Sequence, residues 1–355
     1  MIVSTCGFGS TGSSAVSDYL LECENFCVFD DVEFNLASRV DGLEDLEYHL
    51  MIRNSRLAKG IQAIRRFESL ISSSSREWIV NTKITKAQID ELTHNYINSI
   101  TQVSFVGYQP RSKNSIKAFF EHYWGESIFL NRFIPYLEKH GYLKKNIDFY
   151  PLGEVKASNK PANFYDATRI YVRDLLTAMG CDFSKNIVLD QGFVGNDPAK
   201  SFPFFDNPYA IVVDRDPRDL WIFAHVKLLS RGRFMPVDNV DKFITYYRMM
   251  RDNQPYKEKN DRIMTINFED MVYRYESTSS KIDMFLNLKN IRRKSIFDPA
   301  MSIANTNLIR KFPQYKKDVK KIEASLSEYL YPFHEFKNID NSGQMFFGKS
   351  LNHKI

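Results

Sequence analysis

Glycine and proline are scarce in this chain, 15 and 13 in 355 residues. That excludes a collagen-like or low-complexity polymer, and an all-β chain punctuated by glycine turns. Cysteine is scarcer still: Cys6, Cys23, Cys27 and Cys181 show no CxxC spacing. Cys23 and Cys27 could share a helix face, but two thiols without partner histidines make a poor zinc site, so the four are read as reduced thiols. No run approaches the ~20 apolar residues of a transmembrane helix. The opening Met1-Ile2-Val3-Ser4-Thr5-Cys6 has neither the basic region nor the long apolar stretch of a signal peptide, and a cytoplasmic location is expected. A large charge imbalance is missing as well. Lys and Arg number 48 against 43 Asp and Glu, a net +5 that favours anionic partners without the concentrated basic stripe of a nucleic-acid binder. What the chain has in quantity is apolar and aromatic material, 43% apolar with 28 Phe and 19 Tyr, enough for a large core and against global disorder.

Periodicity divides the chain into an α/β frame and an insertion. Residues 2–6 read as a strand, 7–12 as a loop, 13–23 as a helix and 26–29 as a second strand. Leu43, Leu46, Leu50, Leu57, Ile61, Ile64 and Ile71 recur at helical spacing, and Ser72 to Ser75 read as a polar break. Helical patterning continues over 88–145, around a basic patch of Arg111, Lys113 and Lys117 and the aromatics Phe119, Phe120, Tyr123 and Trp124. Strands are then expected at 186–190, 209–213 and 263–267. Helices are expected at 166–179, 216–229, 240–251, 277–286 and 315–329, with Pro217 suited to a first turn and Ser277, Thr278 or Ser279 available as a cap. Strands alternating with helices predict an α/β fold, a central parallel sheet flanked by helices. The whole chain is read as one domain, with 43–165 a largely helical insertion and 300–355 a helical tail.

Gly7-Phe8-Gly9-Ser10-Thr11-Gly12-Ser13-Ser14 lies between a strand and a helix. GxxxxG followed by two hydroxyl residues is the spacing of a phosphate-binding loop. Small residues let successive N–H groups point inward, the helix start adds partial positive charge, and Ser10, Thr11, Ser13 and Ser14 add hydroxyl donors. The lysine of the nucleotide-hydrolysing version is replaced by Ser13, which removes the main point charge on a transferred phosphate. A second anchor is Asp214-Arg215-Asp216-Pro217-Arg218-Asp219, placed where an apolar strand delivers Arg215 to its C-terminal end and Pro217 opens a helix.

With both segments on one sheet, the chain resembles the sulfotransferases that use 3′-phosphoadenosine 5′-phosphosulfate (PAPS). Their first loop, with a core of a basic residue, Ser, Gly and two hydroxyl residues, corresponds to Ser10-Thr11-Gly12-Ser13-Ser14. Their Arg-Asp/Asn-Pro-Arg/Lys-Asp segment, which binds the 3′-phosphate, corresponds to Arg215 through Asp219. A third match is Phe268-Glu269-Asp270-Met271 with the helix after it. The resemblance covers residues 1–35 and about 185–290. It implies PAPS as co-substrate, no metal, and a phosphate-loop fold. It implies nucleotide contacts from Gly9, Ser10, Thr11, Gly12, Ser13, Ser14, Arg215 and Arg218, with Ser10 and Ser13 also stabilising the transferring group. It also implies transfer of a sulfuryl group to a hydroxyl or amine of a carbohydrate or glycolipid acceptor.

Two positions depart from the family. Its basic loop residue falls on Ser10, and the Ser eight residues after its motif arginine falls on Phe223. Lys83, Lys86, Lys227, Arg231, Arg233 and Lys349 are candidates to restore the positive charge. The family's base lies near the end of the second strand, where this chain has Asp30, Asp31 and Glu33; Glu33 is the expected base and Asp31 the next choice. His225 reads as structural. The basic patch leaves room for a membrane surface as a peripheral partner. Two other readings stay open, a kinase-like phosphotransferase using ATP and Mg²⁺, with Asp190 or Asp214 as its strand-end acid, and a non-catalytic nucleotide-binding relative.

Overall fold

The computed structural model describes residues 1–29, 32–108, 134–142, 152–228, 235–252, 254, 260–288 and 296–345. Its strands are β1 (Ile2–Gly7), β2 (Phe26–Phe29), β3 (Val103–Tyr108), β4 (Leu152–Ala157), β5 (Asn186–Asp190), β6 (Pro208–Asp214) and β7 (Ile263–Asn267). Five of them form one parallel sheet in the order β2-β5-β1-β6-β7. These are the apolar runs in which the sequence placed strands. They are apolar on both faces because helices cover both. Ile2, Cys6, Ile187, Leu189, Ala210 and Val212 enter one core, while Val3, Val188, Ile211 and Val213 enter the other.

The helices are α1 (Ser14–Leu21), α2 (Leu43–Glu47), α3 (Leu57–Asn81), α4 (Lys86–Ile100), α5 (Ile134–Lys139), α6 (Phe164–Met179), α7 (Pro217–Phe223), α8 (Val240–Met249), α9 (Phe268–Tyr273), α10 (Tyr275–Phe285), α11 (Pro299–Ser302) and α12 (Lys316–Ser325). Residues of α3, α4 and α6 such as Phe67, Ile97 and Leu175 fill the first core. Val16 and Leu20 of α1, with Met271 of α9 and Ile282 of α10, fill the second. A third core joins Trp221 of α7, Phe243 of α8 and Ile322 of α12.

Several local expectations are corrected. The serine run does not break the helix. It lies inside the 25-residue α3, where Ser73 and Ser75 hydroxyls donate to the carbonyls of Leu70 (2.8 Å) and Ser72 (2.7 Å). Ser74 accepts from Arg39 at 2.9 Å. Hydroxyls satisfied in this way no longer compete with the helix backbone. The helix expected from Ser277 starts at Tyr275, and the hydroxyls of Ser277, Thr278 and Ser279 donate back to carbonyls of Arg274 and Glu276 rather than capping. The helix after Asp216 is α-helical only to Phe223 and continues as a π turn over Ala224–Leu228. Within the insertion, β3 and β4 form an antiparallel pair where only helix was expected. The patch Arg111, Lys113 and Lys117 and its aromatics lie outside the described residues.

The segment after β6 fastens the C-terminal region to the sheet. Asp219 accepts the backbone N–H groups of Asn307 (2.6 Å) and Leu308 (2.7 Å). Asp216 caps α7 by accepting from Arg218 N–H, and also accepts Tyr331 N–H at 2.8 Å. The Arg218 guanidinium grips Asp216 and reaches Glu323 (3.0 Å) and the Tyr331 carbonyl (2.8 Å). Asp219→Ala strands two buried N–H groups, a loss of about 2–4 kcal/mol by the usual cost of orphaned donors. The expected outcome is a lowered melting temperature and faster tryptic cleavage at Arg310 and Lys311, while a variant that melts like wild type would show that the contact contributes little.

Candidate nucleotide-binding and active site

The site begins with the backbone at the end of β1, between β5 and β6. Thr11 folds back so closely on Gly7 that a Cβ there would sit 2.1 Å from Thr11 Oγ1 and 2.6 Å from the Val213 carbonyl. Gly12 has φ +91, and its missing Cβ would meet the Phe268 ring at 2.5 Å. Gly9 (φ 83) and Ser10 (φ 55) are also left-handed. This curl leaves the N–H groups of Gly9, Ser10, Gly12, Ser13 and Ser14 without an acceptor among the described residues. All five residues line one cavity of about 680 Å³. N–H groups collected at the start of a helix form an anion cradle. The helix itself is uncapped, because the Ser13 side chain makes no cap bond.

Beneath the loop lies Arg215, 3% exposed. Its Nη1 donates to the Ser10 carbonyl at 3.2 Å and its Nη2 to the Asn305 carbonyl at 2.5 Å. The guanidinium is packed between Phe223 (4.6 Å to the ring centre) and Phe268 (5.2 Å). Its Nε is buried without an acceptor, although Arg215 lines the cavity. An orphaned donor on a buried cation is costly and is the kind of group an anion satisfies. Phe223, where the family has a serine, thus serves as a face for the arginine.

The structure brings some expected residues together and leaves others apart. Gly9, Ser10, Gly12, Ser13, Ser14, Arg215 and Glu33 share the cavity wall. Thr11 does not: it is buried, and its Oγ1 accepts Phe8 N–H at 3.3 Å, bracing the loop from inside. Arg218 is likewise off that wall, its guanidinium taken by Asp216, Glu323 and Tyr331. Lys83, Lys86 and Lys227 are not on the described wall; Lys86 pairs with Asp90 and Lys227 donates to the Met345 carbonyl (3.2 Å). His225 donates from Nδ1 to the Trp221 carbonyl at 2.8 Å, a structural contact. Asp30, Asp31, Arg231, Arg233 and Lys349 lie outside the described residues.

Two wall residues were not assigned to the transfer from sequence. Asp190 ends β5, and Gln191 follows it with its side-chain amide donating to Ser13 Oγ at 2.7 Å. That bond occupies a lone pair of the hydroxyl and leaves its O–H proton for a ligand. The signal was available, since ligands in open α/β sheets sit beyond the carboxyl ends of the strands. Among the described residues, no group of three His, Cys, Asp or Glu side chains is placed to hold a metal ion, and no helix is long and apolar enough to cross a membrane.

No family model matches the chain, and neither does any curated protein. Among solved structures, a sulfotransferase domain from the curacin biosynthetic pathway is similar at 14% identity and a TM-score of 0.35. The match covers 93% of this chain and 98% of that one. The fold stated above is read from strand order and register, independently of that likeness.

Behind the loop, three carboxyl groups share a buried space with two guanidinium groups. Asp216 and Asp219 lie close to Arg215 and Arg218, and Glu269, fully buried, accepts Asp216 N–H at 3.0 Å. Burial, then the charges of Asp216 and Asp219, pushes Glu269 well above the usual carboxylate range. Its Oε2 is buried without a partner, so no donor there stabilises the ionised form. Burial and Asp216 push Asp219 up to about 7, against the pull of Arg215. A carboxyl whose folded pKa is raised favours the folded state when protonated, so its contribution falls as pH rises above its unfolded value near 4. Glu269→Gln keeps a neutral side chain at every pH. The melting temperature of this variant relative to wild type is therefore expected to be higher at about pH 8 than at about pH 5; a difference independent of pH would mean that Glu269 titrates normally.

Proposed function

We propose that the chain is a sulfotransferase that moves a sulfuryl group from PAPS to an acceptor hydroxyl, the acceptor being a carbohydrate or glycolipid. The observation that carries this reading is that residues with unpaired loop N–H groups share one cavity wall with Arg215, a buried cation whose Nε has no acceptor. The loop donors suit the 5′-phosphosulfate, and Arg215 suits the 3′-phosphate. The residues of the site fit such a co-substrate: a strand end, a helix start, a buried guanidinium and two aromatic faces, Phe223 and Phe268, line the same space.

In this reading the transfer is in line. Negative charge develops on the sulfuryl and bridging oxygens, and the protein's part is to place the groups and meet that charge with fixed N–H and O–H donors. The loop N–H groups are preorganised because Gly7, Gly12 and Thr11 leave the backbone little alternative path. Ser13 offers its hydroxyl proton while Gln191 holds its oxygen. Ser10 and Ser14 complete the donor set. Four carboxyl residues stand on the same wall, Asp18, Glu33, Asp190 and Asp298.

A thermal-shift titration tests the donor site. Adenosine 3′,5′-bisphosphate without metal is expected to raise the melting temperature, with AMP much weaker, because a ligand that binds only the folded state stabilises it as its concentration passes Kd. Stabilisation by ATP·Mg²⁺ alone would instead favour the kinase-like reading, and silence from all three nucleotides the non-catalytic one. Arg215→Lys keeps a charge but loses the fork. It is expected to reduce the preference for the bisphosphate over AMP by about tenfold or more, as for a lost charge-assisted bond. Equal weakening of both ligands would remove Arg215 from the 3′-phosphate.

A further inference from the structure

Asp190 ends β5 directly beside the strand that carries the loop, its Cα paired in register with Thr5 of β1. Asp190 is one of the residues that line the cavity, and its Oδ1 is buried with no hydrogen-bond partner. The next residue, Gln191, has left-handed backbone (φ 53), which turns the chain sharply at this point. Its N–H donates to the Thr5 carbonyl (2.9 Å) and its side chain to Ser13 Oγ (2.7 Å). A non-glycine residue in that region is strained and persists only when its surroundings hold it. Here the two bonds from Gln191 do so. One corner of chain thus fixes a carboxylate and the loop hydroxyl together. A buried carboxylate oxygen without a donor is rare.

We propose that Asp190 is the catalytic base of the transfer, receiving the acceptor's hydroxyl proton on its carboxylate. The inference rests on the sulfuryl-transfer reading above. In the step, the acceptor oxygen forms a bond to sulfur as the bond from sulfur to the bridging phosphate oxygen breaks. The hydroxyl proton passes to Asp190, and adenosine 3′,5′-bisphosphate departs with the bridging oxygen and its electron pair.

The titratable groups that face Asp190 are Glu33, Asp18 of α1 and Cys6 of β1. Burial first, then the charges of Glu33 and Asp18, raises Asp190 to about 6. Cys6 is pushed up to about 12, chiefly by burial, and remains a neutral thiol. Asp190 is therefore ionised at neutral pH yet more basic than an ordinary carboxylate, as a general base should be. Glu33, the base expected from the family pattern, is solvent-exposed and acts on Asp190 through its charge.

The experiment uses the full-length chain and its Asp190→Asn and Glu33→Gln variants. Sulfate-labelled PAPS is the donor, and water and glycerol stand in for the acceptor. The variant Asp190→Asn is isosteric and removes a charge that burial disfavours, so the fold tolerates it, and its melting temperature checks this. It is expected to bind adenosine 3′,5′-bisphosphate as wild type does, to lose about 10²-fold or more in label transfer, the usual contribution of a general base, and to lose the acid limb of the rate profile near pH 6. Glu33→Gln is expected to stay within a few-fold at neutral pH and to move that limb to lower pH. Retained transfer by Asp190→Asn, or a limb that persists in it, overturns the assignment. So does a wild-type protein that binds the bisphosphate but releases no label. Failure to bind the bisphosphate at all overturns instead the reading on which the assignment rests.

Discussion

The Arg215 guanidinium ties the molecule together. One nitrogen holds the carbonyl of Ser10 in the loop after β1, another holds the carbonyl of Asn305 in the C-terminal region, and two aromatic rings keep water from its faces. A cation so buried pays a large desolvation cost and needs fixed counter-charges. These are Asp216 and Asp219, and both of them, like the buried acid Glu269, also accept backbone N–H groups. The shape of the loop, the seating of the residues near 305 and the start of α7 are therefore one electrostatic problem with one solution. The anchor motif after β6 is a clamp as well as a candidate ligand contact.

The frame of the fold was legible in the sequence because both faces of its strands are buried. Ile187 to Leu189 and Tyr209 to Val213 are apolar runs, Ile2 to Cys6 is interrupted only by the small hydroxyl residues Ser4 and Thr5, and all three became central strands of the sheet. The serine run at 72–75 misled because composition does not reveal where a hydroxyl finds its partner; carbonyls one turn back and Arg39 supply it. The antiparallel pair of β3 and β4 was missed because exposed Val103, Phe105 and Val106 do not alternate with polar residues in the manner of a half-buried strand.

The candidate site was legible in part, for a different reason. Glycine spacing reports backbone curvature, so the anion cradle could be read directly from Gly7 to Ser14. Side-chain direction is not encoded in spacing. Thr11 and Ser13 look equivalent as hydroxyls, yet one braces the loop interior and the other lines the cavity. Arg215 and Arg218 are three residues apart at the start of a helix, and only the first reaches the wall. The Asp190–Gln191 corner depends on strand order, since β5 pairs with β1 only after an insertion of more than a hundred residues has been folded away.

The uncapped start of α1 sets local stability against binding. Most helices close their first turn with a side chain of their own. Here the hydroxyl in position to do so is engaged by Gln191, and the N–H groups of Ser13 and Ser14, two cavity-lining residues, have no acceptor among the described residues. An anion at the loop would be the cap of this helix. Part of its binding free energy would then reappear as helix stability, and the stretch from Gly9 to Ser14 would tighten only when occupied. Engineering a better cap at Ser13, an aspartate for instance, would make the empty protein firmer while filling the cradle with the wrong charge. A search for stabilising substitutions in this helix would therefore select against ligand binding.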